Sequence, residues 1–167
     1  MSMCPAWPLK SKPMEGRMSR TAAREVAVRL CYSAELSGDW SPARAVDFFE
    51  SEYYATLCGE DDLFCKEPDA EQLAYIGTLF AAVAEHKDET DGYIAKYAKG
   101  WTLPRISRIS LAILRCAVCE MLYLNDATSA VAINEAVEIA KHYEEPETVS
   151  FINGVLGSFV RGELENP

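Results

Sequence analysis

The chain has 167 residues, 26 acidic and 16 basic side chains, and a formal net charge of -10. With 49% apolar residues it is too hydrophobic for wholesale disorder. It is long enough to bury a core without staples, either as one compact domain or as two halves sharing a core. No apolar run approaches the ~20 residues needed to cross a bilayer, and the opening segment lacks the continuous apolar stretch of a secretory signal. Bulk charge alone argues against a polyanionic partner.

Residues 1–18 read as an N-terminal extension, expected to be disordered, with Met18 as an alternative initiator. Charge is unevenly placed: residues 1–29 carry six basic and two acidic side chains, or +4, which leaves -14 for the rest. That asymmetry suits an anionic partner at one end, and its bland alternative is a solvated helix face beside a tail.

Helical spacing then runs through the chain, and no stretch alternates in the manner of a strand. Ala23, Val26, Ala27, Leu30, Cys31 and Ala34 mark a first helix at 20–36, stopped near Gly38. Ser41 and Pro42 open a second, whose stripe runs through Val46, Phe49, Tyr53 and Leu57 to Gly59. The acidic GEDDLFCKEPD reads as a loop, and Asp69 with Gln72 resembles a capping box for a third helix bearing Leu73, Ile76, Phe80 and Val83. A fourth is expected at 89–99 with Tyr93, Ile94 and Tyr97. A fifth, at 105–124, is apolar on most sides and should be the most buried element. The sixth spans 129–143. Pro146 precedes a seventh at 147–160, where Gly154 and Gly157 suggest close helix contact. The fold class is therefore all-α, with about seven helices, and residues 162–167 form a C-terminal tail.

Six cysteines are present, and Cys116 and Cys119 have CxxC spacing inside the apolar LAILRCAVCEMLYL. Neither a second CxxC nor a nearby histidine completes a zinc set, and a redox thiol would need exposure near a helix start. Buried, reduced core cysteines and a cytoplasmic location follow. Phosphate loops, dinucleotide fingerprints, HExxH and GxSxG are all missing, and His86 and His142 lie far apart. No enzyme activity and no cofactor are expected.

Four segments resemble the NusB family of bacterial transcription antitermination factors. After Ser19–Tyr32, which looks like that family's first helix, come WTLPRI at 101–106 and AILRCA with EMLY at 112–123. VAINEAVEIAK at 131–141 and FINGVL at 151–156 follow in the same order. The resemblance covers 19–161 and implies two packed helical subdomains. It further implies binding of boxA single-stranded leader RNA together with the ribosomal protein NusE, so that RNA polymerase reads through terminators in ribosomal RNA operons. A free protein that is monomeric, or a homodimer masking its RNA face, fits equally. The competing reading is a diverged helical protein-interaction module without sequence-specific RNA binding.

The residues carry part of this reading themselves. Single-stranded RNA is held by cations on phosphates and by aromatic faces under splayed bases. Arg20 and Arg24 are four apart on one helix face, with Arg17 one turn earlier. Tyr32 is expected two turns further along the same side, roughly 12 Å from Arg24. Arg20, Arg24, Tyr32 and Phe151 match family contact positions, with core packing as the alternative for Tyr32 and Phe151. Ser110 stands where many members have an acidic residue that helps engage NusE, and Thr21, Ala22 and Ser150 replace positions that are often basic.

Overall fold

The structure, a computed structural model, describes residues 17–51, 56–57, 60, 64 and 66–165. Those residues contain six α-helices and no strand. The helices are α1 (Arg20–Ser37), α2 (Pro42–Glu50), α3 (Ala70–Tyr97), α4 (Arg108–Cys119), α5 (Ser129–Lys141) and α6 (Pro146–Phe159). The chain divides into two compact units, with the division between Phe80 and Ala81. None of the described helices is long and apolar enough to cross a membrane.

In the first unit the local signals act as expected. Ser19 caps α1 by accepting the Ala22 N–H at 3.0 Å, and Gly38 ends it at φ 73°, donating to the Ala34 carbonyl at 2.8 Å. A run of small buried residues, Ala22, Ala23, Ala27 and Ala34, leaves α1 a face that neighbours can approach closely. Phe48 and Phe49 of α2 and Tyr75, Ile76, Leu79 and Phe80 of α3 add large buried apolar side chains to this unit. Met18, placed by its sequence position in the extension, is only 2% exposed, and its N–H donates to the Glu67 carbonyl at 3.2 Å. The α2 helix ends at Glu50, short of the expected run to Gly59, and the positions between belong in part to residues outside the described set. Residues 1–16, and with them most of the N-terminal extension, also lie outside it.

The expected third and fourth helices are both present, as two helical segments of α3 that meet at a kink. Asp69 caps α3 through the Gln72 N–H at 2.9 Å, and the helix then continues for 28 residues, kinked at His86 (φ -107°, ψ 19°). Its polar stretch EHKDET interrupts the apolar stripe, but no proline breaks the chain there. The kink has a side-chain cause: buried Thr90 donates its hydroxyl to the His86 and Lys87 carbonyls, both at 3.0 Å, in competition with the backbone ladder.

The core of the second unit is built on α4, whose residues from Ser110 to Cys119 are all buried. It starts at Arg108 and not at 105, because Ser107 caps it and a tight turn at Leu103–Arg105 contains Pro104. After Cys119 the turn widens, with the Asn125 N–H reaching back to the Glu120 carbonyl at 3.3 Å. Ile139 and Ala140 of α5 and Ile152, Val155, Leu156 and Phe159 of α6 complete that core. The glycines of α6 do not make the expected close helix contact. A Cβ at Gly154 would meet open space, and one at Gly157 would meet only the Arg161 guanidinium. Cys31, Cys116 and Cys119 are buried thiols outside any disulfide, and burial pushes the Cys119 thiol far up, so it is held protonated and inert.

Candidate nucleic-acid interface

The first turns of α1 hold two cations, Arg20 and Arg24, over one aromatic ring. The Arg20 guanidinium lies 4.0 Å from the centre of the Tyr75 ring, and Arg24 stands 5.8 Å from the same ring. Arg20 also reaches Glu71 at 3.4 Å, while Arg17, with its side chain 83% exposed, approaches Asp69 at 3.8 Å. Arg24 is only 7% exposed. Arg17 precedes α1 and is turned to Asp69 instead of extending the helix face, while the structure brings Arg20 and Arg24 together, but not as a bare line of surface charge. Tyr75 organises them and went unnoticed in the sequence, because it lies 51 residues from Arg24 and beside, not within, the stripe expected of its helix.

Magnitudes decide how tightly Arg20 is held. A cation–π contact at a partly exposed site is worth roughly 0.5–2 kcal/mol, and an exposed ion pair such as that with Glu71 adds at most about 1 kcal/mol. The Glu71 contact, long at 3.4 Å and on the exposed side, therefore fixes Arg20 no more strongly than the ring does. Arg24, being buried, lends charge more than it lends donors.

Tyr32 does not share that face. Eight residues turn a helix through two turns plus about 80°, and Tyr32 accordingly lines a separate open groove with Arg29, Ser33, Leu36, Ser37 and Arg44. The expected straight track from Arg24 to Tyr32 is therefore corrected to two faces of one helix.

Phe151 and Ser110 belong to the second unit. Phe151 is half-buried against Trp101, with ring centres 5.1 Å apart and planes tilted by 38°. Trp101 itself is 41% exposed, which makes it the more accessible ring of the two. Arg105 and Thr148 line the same shallow pocket. Ser110 is fully buried, so its hydroxyl meets no outside partner; it donates to Glu144 at 2.7 Å. Ser107 donates to the same Glu144 oxygen at 2.5 Å. The carboxylate at this place is Glu144, contributed from 34 residues downstream. No set of three or more candidate metal ligands occurs among the described residues.

The model of the NusB family matches residues 21–161. The chain belongs to the NusB family. It is 42% identical to the transcription antitermination protein NusB of Acetivibrio thermocellus over 147 residues, which covers 88% of this chain and 92% of that protein. Among solved structures it is similar to NusB of T. maritima, with a TM-score of 0.67 at 22% identity over 88% of this chain and 94% of the other. A crystal structure of the antitermination factors NusB and NusE in complex with dsRNA gives a TM-score of 0.66 at 22% identity, over 85% and 96%. The all-helical NusB fold expected from the four matching segments is the fold observed.

Proposed function

We propose that this chain is a transcription antitermination factor that binds boxA-type single-stranded leader RNA together with NusE and promotes read-through by RNA polymerase in ribosomal RNA operons. The observation that carries this reading is membership of the NusB family across residues 21–161, with an antitermination protein as a 42% identical relative. The solved NusB–NusE–dsRNA complex of the same fold supports the choice of partners. The RNA-binding module is residues 19–161, flanked by an N-terminal extension and the tail at 162–167. Its role is to bind, not to catalyse.

On this reading Arg17 and Arg20 take phosphates, Arg24 contributes field from beneath, and Tyr32 and Phe151 offer faces to splayed bases. Ser110 acts only by orienting Glu144, whose carboxylate is the group that would meet a basic ribosomal-protein partner. The acidic body suits such a partner and limits nonspecific phosphate binding.

The buried position of Arg24 favours a second reading, a helical protein-interaction module without sequence-specific RNA binding. Fluorescence anisotropy with boxA and scrambled RNA, each with and without NusE, separates the two. Preference for boxA that grows when NusE is added is the expected result. Equal binding of both RNAs would establish the second reading.

A further inference from the structure

Four side chains meet in two pairs at the start of α1. Arg20 and Arg24 are one turn apart on α1, and Glu71 and Tyr75 are one turn apart on α3. Arg20 touches both members of the α3 pair: its guanidinium carbon lies 4.0 Å from the centre of the Tyr75 ring, and its Nη2 is 3.4 Å from Glu71. Arg24 stands 5.8 Å from the same ring. Tyr75 is only 5% exposed, so the packing of the first unit fixes its ring. Glu71, by contrast, keeps 73% of its side chain exposed. Like charges one turn apart on a helix repel, and the electron-rich face of a ring beside both guanidinium groups offsets that repulsion.

The kind of support decides what an arginine can still bind. A carboxylate fork consumes guanidinium N–H donors, as Asp91 consumes those on Nε and Nη2 of Arg115. A ring attracts the charge as a whole and needs none of the five N–H donors. Its hold still narrows the rotamers of a long side chain, a freedom that an RNA phosphate would otherwise have to freeze on binding. Arg17 shows the alternative, since its side chain is 83% exposed and meets Asp69 at 3.8 Å. The ring thus separates a prepared cation from one that is merely nearby.

We infer that Tyr75 is a positioning residue for RNA binding: it touches no RNA itself, and its ring holds the Arg20 guanidinium in the place from which Arg20 grips a phosphate. The inference rests on the proposed RNA-binding function. Its first test is proton NMR of the full-length protein, with the Arg20 side-chain signals assigned by their absence from Arg20→Ala. The ring current of Tyr75 shifts those protons upfield, and the shift persists when boxA RNA is added. No shift in the free protein, or its loss on RNA binding, overturns the inference, because Arg20 would then bind from somewhere other than the ring. The second test is a double-mutant cycle of boxA RNA affinity over a range of salt, for wild type, Tyr75→Phe, Tyr75→Leu, Arg20→Ala and Arg20→Ala combined with Tyr75→Leu. Tyr75→Phe keeps the ring and binds as wild type does. Tyr75→Leu keeps apolar bulk without the ring face and binds about fivefold more weakly, with the salt slope retained because no cation is lost. On the Arg20→Ala background the same substitution changes affinity by less than about twofold. Equal weakening on both backgrounds overturns the inference, since the ring would then serve only the fold, and RNA binding still stands if Arg20→Ala is itself weakened. The NMR reading on wild type decides independently of how Tyr75→Leu folds. If wild type binds boxA and scrambled RNA alike, the RNA reading falls and the inference falls with it.

Discussion

Arg20 in the first unit and Arg115 in the second are both arginines on helices, both engaged by an acid, yet their surroundings differ. Arg115 is 4% exposed and pairs with Asp91 through two parallel hydrogen bonds, Nε to Oδ1 at 2.7 Å and Nη2 to Oδ2 at 2.8 Å. Arg20 keeps 24% of its side chain exposed, rests on the Tyr75 ring and touches Glu71 at 3.4 Å. A guanidinium whose fork is filled by one carboxylate is committed to the scaffold. One that leans on an aromatic face keeps its charge available to a stronger anion. The difference teaches that position on a helix face does not identify a binding arginine; the quality of its existing partners does.

Breaking that contrast should produce the largest effect in the second unit. Arg115→Ala leaves Asp91 without its fork partner beside a buried face, and chemical denaturation is expected to report a loss of about 3–5 kcal/mol. A loss below 1 kcal/mol would mean that the two arginines are equally dispensable to the fold. Tyr32→Ala comes next: it should weaken boxA RNA by about 1–3 kcal/mol if a base stacks there, with the melting temperature little changed because the side chain lines an open groove. Unchanged RNA affinity would return Tyr32 to a packing role.

A smaller effect separates surface from buried charge by pH. Glu163 accepts hydrogen bonds from Lys96 at 2.5 Å and from the Tyr97 hydroxyl at 2.7 Å, and these hold its carboxyl below the usual range. A carboxylate lowered in the folded state stabilises it above the unfolded pKa, and that contribution fades as pH falls through the lowered value. Glu163→Gln should therefore flatten the acid side of the stability profile while leaving RNA binding alone. Profiles that superimpose from neutral to strongly acid pH would contradict the assignment.

Much of the fold was legible from local chemistry. Ser19, Gly38, Pro42 and Asp69 start or stop helices by hydrogen bonds and backbone preferences that depend only on neighbours in sequence. The apolar girth of α4 announced its burial. The division of α3 into two helical segments was legible too, because the polar stretch EHKDET interrupts the apolar stripe where the backbone kinks at His86. The candidate site was legible in residue type but not in surroundings. Arg20 and Arg24 could be placed on one face by spacing, whereas the Tyr75 ring beneath them depends on a contact across more than 50 residues. The exchange of Ser110 for the half-buried Glu144 as the more accessible polar group is likewise a long-range fact. Tyr32 could have been set apart from Arg24 by counting 100° per residue, since the 80° remainder is arithmetic.

The account turns on whether the loosely held cations of α1 meet phosphate. Measuring boxA RNA affinity against salt for wild type and for Arg20→Ala, with NusE present, tests this most directly. The slope of log K against log salt should flatten by about 0.7 for the one cation removed, with the preference for boxA over scrambled RNA retained. An unchanged slope would contradict it, because Arg20 would then be bound to its own protein and to nothing else.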